Sequence, residues 1–186
     1  NTIIEDGGNS TYIEIEDTYV VMENVELNGS SQYGINFNGT TSLSMNNCEV
    51  AGFDKGLRIK GNNVYHSISN SSFSDSQYGA YINSYTDVLF DNCVFENNDY
   101  GLYLTSSVNT TVTNSLFNNN SSGGFYTEYS NLFYIIDSCE FLNNNDAIRS
   151  NSYIESEVRN STFINNNGYG IYGNNQHPNV YNCKVS

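Results

Sequence analysis

The 186-residue chain has no tryptophan, one proline (Pro178), two histidines and only six lysines and arginines. Those six stand against 20 acidic residues, a formal charge of −14. Phosphate binding needs clustered Lys and Arg, so nucleic acid is excluded as a partner class. No apolar run approaches the ~18 residues of a membrane-spanning helix. Charged residues make up only 14% of the chain, too few for a charged disordered tail. Hydrophobic residues at 38% and aromatic ones at 14% are enough for a core, and the length fits one domain. No basic-then-apolar leader opens the chain, and its first residue is Asn1. A processed product or excised piece is the expectation.

What the chain has in excess is asparagine, 33 residues, and it recurs in register. Asn24-Val-Glu-Leu27 is followed by Asn47-Cys-Glu-Val50, Asn70-Ser-Ser-Phe73, Asn92-Cys-Val-Phe95 and Asn114-Ser-Leu-Phe117. Ser138-Cys-Glu-Phe141, Asn160-Ser-Thr-Phe163 and Asn182-Cys-Lys-Val185 complete this ladder, at steps of 22–24 residues. A second ladder runs in phase: Gly34-Ile-Asn-Phe37, Gly56-Leu-Arg-Ile59, Gly79-Ala-Tyr-Ile82, Gly101-Leu-Tyr-Leu104, Gly124-Phe-Tyr-Thr127 and Gly170-Ile-Tyr-Gly173. Asp146-Ala-Ile-Arg149 is its degenerate member, read with Ile148 in the tyrosine position. A third ladder precedes each asparagine: Met22, Met45, Ile68, Phe90, Val112, Ile136, Val158 and Val180.

Each repeat therefore holds three short segments with two-residue alternation, the strand period. Val, Ile, Phe, Tyr and Thr dominate them, as strands prefer. A repeat this small cannot bury its apolar face alone, but stacked repeats bury a continuous core. The prediction is an all-β, right-handed, three-faced parallel β-helix of about 7–8 coils of 22–24 residues. Residues 1–17 read as an N-terminal partial coil or cap, and 18–186 as the repeat domain. The ladder asparagines sit at a sharp bend whose left-handed conformation asparagine tolerates. The glycines opening the second ladder are expected to allow another corner.

The Asn-[Cys/Ser]-x-[Phe/Val] and Tyr-Gly-[Ile/Leu/Ala]-Tyr ladders resemble the right-handed parallel β-helix family, over roughly residues 18–186. The chain looks like the pectate-lyase-like superfamily, especially the Asn-rich repeats of microbial surface proteins. Phe-x-x-Asn at 95–98, 117–120, 141–144 and 163–166 is similar to repeats of polymorphic outer-membrane adhesins. That superfold hosts lyases, hydrolases, tailspikes, adhesins and surface-layer proteins, so the resemblance implies the fold and leaves the activity open.

The four cysteines, Cys48, Cys93, Cys139 and Cys183, share one ladder position in alternate coils, with Ser71, Ser115 and Ser161 between. Strands stack about 4.8 Å apart, so neighbouring cysteines stand roughly 9.6 Å apart. A disulfide needs Cα atoms within about 7 Å, so none is expected and the thiols read as small core residues. His66 reads as packed or capping inside the third ladder, and His177 as a terminal-loop residue.

On the second ladder the middle residues should face solvent: Asn36, Arg58, Tyr81, Tyr103, Tyr126, Ile148 and Tyr172. Tyr81, Tyr103 and Tyr126 would form an aromatic stripe, either plain cross-strand packing or a surface for a glycan or other partner. In pectate-lyase-like proteins this strand face commonly carries the substrate groove. Arg58 and Lys60 project beside it, with Asp54 and Lys55 in the preceding turn. Gly56–Lys60 is similar to the Arg-Ile-Lys of polygalacturonases, but that family's Asn-Thr-Asp, Asp-Asp and Gly-His-Gly are missing. Hydrolysis needs two facing carboxylates, and the tyrosine row as read contains none. No cofactor is expected; Glu26 and Glu49 as outward neighbours make at most a weak calcium site. Sequons occur at Asn9, Asn28, Asn38, Asn70, Asn109, Asn119, Asn120 and Asn160. Asn28, Asn38, Asn109 and Asn119 are the glycosylation candidates, because Asn70 and Asn160 should be enclosed in the bend.

The leading expectation is an extracellular or cell-surface structural or adhesion module, possible as a subunit of a surface layer or fibre. The alternative is a polysaccharide-binding or lyase-like protein using Arg58, Lys60, Tyr81, Tyr103, Tyr126 and Tyr172. Expected partners are a glycan, or like subunits stacking end to end over the last coil.

Overall fold

A computed structural model describes residues 2–5, 13–16, 19–106 and 108–186. Among these there is no helix, and 25 short strands form three parallel sheets. Sheet A has nine strands, from Thr2–Glu5 to Lys184–Val185. Sheet B has eight, from Ile13–Glu16 to Ile171–Gly173, and sheet C eight, from Val20–Glu23 to Asn179–Tyr181. The chain visits C, A and B in turn, so each strand pairs with strands one coil earlier and later. The result is a right-handed β-solenoid of about eight coils.

The period-2 pattern dictates what fills it. The first ladder's apolar members pair in register from Leu27 through Val50, Phe73, Phe95, Phe117, Phe141 and Phe163 to Val185. Phe95, Phe117 and Phe141 stack face to face at 4.8 and 4.6 Å inside the coil. Each fully buried ring contributes about 1.5–3 kcal/mol by leaving water. The third ladder lines the interior of sheet C in the expected register from Met22 to Val158, and Val180 keeps the register in the last coil but is exposed.

Two corners have regular chemistry. Between sheets C and A, Asn24, Asn47, Asn70, Asn92, Asn114, Ser138, Asn160 and Asn182 all have φ between 50° and 58°. This is the predicted bend. Its side chains bond coil to coil, as in Asn92 Nδ2 to Asn70 Oδ1 at 2.8 Å. The second corner departs from expectation. Gly34, Gly56, Gly79, Gly101 and Gly124 lie within or at the edge of sheet B strands and do not have positive φ. They are glycines because a Cβ on Gly101 would stand 2.6 Å from the carbonyl oxygen of Gly124, and the others are similarly crowded. The turn from A to B is made earlier, at Gly52, Asp75, Asn97, Asn119, Asn143 and Asn165.

Behind that turn runs a buried asparagine spine: Asn98, Asn120, Asn144 and the half-buried Asn166. Asn120 Nδ2 donates to the Phe95 carbonyl at 3.1 Å, and its Oδ1 accepts from the Asn98 backbone N–H at 3.2 Å. The unit repeats one coil on, with Asn144 bonded to Phe117 O and to the Asn120 N–H. These bonds satisfy backbone groups that the turn would otherwise leave buried and unpaired.

The cysteines are free, and all but Cys183 are buried. Their alternation with serine has a hydrogen-bonding logic. The backbone N–H groups of Cys48, Cys93 and Cys139 donate to the hydroxyls of Ser71, Ser115 and Ser161 at 3.0–3.1 Å. His66 is fully buried in sheet C; its Nδ1 accepts from the Leu43 N–H at 3.1 Å, and its ring meets Phe37 edge-on. Burial pushes its pKa down to about 4.

Candidate ligand face on sheet B

Sheet B's outward side chains fall in rows. The central row is Glu14, Asn36, Arg58, Tyr81, Tyr103, Tyr126, Arg149 and Tyr172, fixed by strand register. Two differences from expectation stand here. Ile148 is fully buried and Arg149 takes the outward place, because Gly124 aligns with Ala147 rather than Asp146. The row also has a carboxylate, Glu14, at its start.

A second row, three residues earlier on each strand, holds Tyr33, Lys55, Tyr78, Tyr100, Gly123 and Asp146. Strict alternation would set residues three apart on opposite faces. The pairing skips the glycine after Tyr78, however, and ring contacts such as Tyr78–Tyr81 at 5.3 Å and Tyr100–Tyr103 at 5.1 Å put both rows on the outward face. Sequence reading found the Tyr-Gly-x-Tyr ladder but used only its second tyrosine.

The two rows interlock. Tyr81–Tyr103 and Tyr103–Tyr126 are stacked, with centroids 5.6 and 4.8 Å apart, and Tyr78–Tyr100 likewise at 5.5 Å. Between rows the rings meet edge to face, as in Tyr78–Tyr103 at 5.0 Å. Coplanar rings this close would collide at their edges, so the stacked rings turn their faces to one another. The stripe therefore offers ring edges and phenol groups outward, not open ring faces. Tyr103 at its centre is only 9% exposed, and its hydroxyl donates to Glu128 Oε1. Burial raises the pKa of the Tyr78, Tyr103 and Tyr126 phenols, and in Tyr103 the Glu128 hydrogen bond adds to it.

Cations bracket the stripe. Lys55 Nζ lies 5.2–5.6 Å from the ring centres of Tyr33, Tyr78 and Tyr81, and pairs with Asp54 at 2.9 Å. Arg58 sits over Tyr33 and donates to Asn36 Oδ1 at 2.8 Å. At the far side Arg149 sits over Tyr172 and pairs with Asp146 at 3.4 Å. Lys60 is exposed at the end of its strand. Four of the chain's six cations thus belong to this one sheet and its edge, in a molecule of charge −14.

The other sequence candidates lie elsewhere. Glu26 and Glu49 are register neighbours on sheet A. Among the described residues no three His, Cys, Asp or Glu converge to hold a metal ion. Asn28, Asn109 and Asn119 are exposed, and Asn38 is half-buried. Asn70 and Asn160 are exposed rather than enclosed, because the bend turns their side chains outward; Asn120 is fully buried, and Asn9 lies outside the described residues. His177 is exposed in the last coil.

A family model described as the right handed beta helix region matches residues 55–186, and the chain belongs to that family. No curated protein and no solved structure matches it.

Proposed function

We propose that this β-helix is a binding module of an extracellular or cell-surface protein, with an adhesive or structural role, and that sheet B is its ligand face. The observation that carries this reading is the gathering of cations and tyrosines on one sheet of an acidic molecule. The ligand class that suits it is an extended glycan lying along the solenoid axis. Phenol hydroxyls and ring edges give hydrogen bonds and apolar contact, and Lys55, Arg58, Lys60 and Arg149 favour acidic groups on the sugar. The stacked rings hold each other in place, so little side-chain entropy is lost when a ligand docks.

Binding to a panel of immobilised neutral and acidic polysaccharides tests this. Retention of at least one acidic glycan is expected, falling with salt and dropping at least tenfold in the Arg58→Gln/Arg149→Gln double variant. Retention that ignores both salt and this substitution would rule sheet B out as the ligand face. Incubation with polyuronate, followed by ultraviolet absorbance, separates binding from lyase turnover; the binding reading expects no new double bond.

A further inference from the structure

Sheet C carries a trough built on different lines. Its outward row runs Tyr65, Asp87, Asn109, Phe133, one residue per coil: Asp87 pairs with both Tyr65 and Asn109, and the Thr110 N–H bonds to Phe133 O. The two end residues are aromatic and the two middle ones short and polar, so the row dips between its ends. With Leu89 and Thr111 along one side it borders an open depression of about 490 Å³.

Tyr65 is 52% exposed, and among the described residues neither its ring nor that of Phe133 contacts another ring. Tyr65 is thereby open in a way the sheet B rings are not, and the half-buried Phe133 shows part of an unstacked ring. Between them Asn109 Nδ2 donates to Asp87 Oδ1 at 2.8 Å. That bond orients both groups and leaves Asp87 Oδ2 and Asn109 Oδ1 without a partner among the described residues. Both unpaired atoms are acceptors, which suits a ligand rich in hydroxyl donors. No Lys, Arg or His lines the trough, and its one charge is the Asp87 carboxylate, which repels anions. Three coil steps of about 4.8 Å separate the aromatic ends by roughly 14 Å, room for a short chain of linked rings rather than one.

We infer that this trough is a second carbohydrate site, selective for a short neutral oligosaccharide, with Tyr65 and Phe133 packing on sugar C–H faces and Asp87 and Asn109 accepting from hydroxyls. It is independent of the sheet B reading and opposite to it in charge preference. Asn109-Thr110-Thr111 is also a sequon, so a glycan attached at Asn109 would fill the trough.

The test uses the full chain made in a host without N-glycosylation. Maltotriose, cellotriose, laminaritriose and tri-N-acetylchitotriose are titrated by calorimetry, with trigalacturonate as the acidic counterpart. The inference expects saturable binding of at least one neutral trisaccharide, weakened at least tenfold by Tyr65→Ala and by Asp87→Ser, and unchanged by Arg58→Gln/Arg149→Gln. Both trough substitutions are at exposed positions, so folding is expected to survive them, and circular dichroism checks it. Failure of every neutral probe to saturate overturns the inference. So does binding that survives both trough substitutions, or binding lost only with the sheet B arginines.

Discussion

Sheets B and C are built from the same coils, yet they present their aromatic residues in opposite ways. On sheet B, tyrosines in adjacent coils fall directly on one another and close their faces by stacking. On sheet C, Tyr65 and Phe133 are three coils apart, with Asp87 and Asn109 between them, and neither is stacked on another ring among the described residues. In a parallel solenoid, identical neighbours in a row stabilise the wall, and interrupted rows make pockets. A side chain's offer to a ligand therefore depends on the residue one coil away as much as on its own identity.

Both faces hang on one interior, so the largest expected effect comes from damaging that shared support. Asn120→Ala orphans the Phe95 carbonyl and the Asn98 N–H together, at about 4 kcal/mol for two buried backbone groups. Chemical denaturation should show it, and binding at both faces should weaken together. The contrast between the faces sharpens with two matched substitutions. Tyr103→Ala removes a nearly buried ring stacked on two others and is expected to cost about 3 kcal/mol. Tyr65→Ala removes an exposed ring and should change the unfolding midpoint by less than about 0.5 kcal/mol. Equal costs would erase the distinction between a stacked wall and an open trough.

Acid should weaken the shared interior through one histidine. His66, beside Tyr65, is held neutral with a pKa near 4, below its ordinary value of 6.5. Between those values the unfolded chain binds a proton that the folded chain refuses, so stability falls as pH drops from 6.5 toward 4. By pH 5 the loss is about 2 kcal/mol. The reading is the difference in pH dependence between wild type and His66→Gln, because fading repulsion among the many carboxylates acts on both alike. A smaller loss than that from acid is expected at the cysteine–serine ladder. Ser115→Ala leaves the Cys93 N–H without its acceptor and should cost about 1 kcal/mol, whereas Cys93→Ser should be milder.

Much of this was legible in the sequence. The 22–24-residue period, the three ladders and their inward registers follow from alternation and spacing, and the coils adopt them. The asparagine bend was legible because few other residues accept positive φ. The second corner was not. Asn97 and Asn98 are adjacent and chemically identical, yet one turns the chain and the other is buried against the Phe73 carbonyl. Glycine composition likewise cannot distinguish a φ requirement from a close approach, and here the ladder glycines answer the second. Ile148 was placed outward because the Gly-x-Tyr signature is absent from that coil; only the pairing of Tyr126 with Arg149 restores the register. The trough on sheet C has no local motif, since its four residues come from four coils.

The most direct test of sheet B as the ligand face is chemical-shift mapping of the isotopically labelled chain, titrated with the best-retained acidic glycan. The largest shifts are expected along 55–60, 78–83, 100–105, 123–128 and 146–152, in five consecutive coils of one sheet. Saturable shifts confined to sheet A or sheet C would contradict the assignment, as would the absence of any saturable shift.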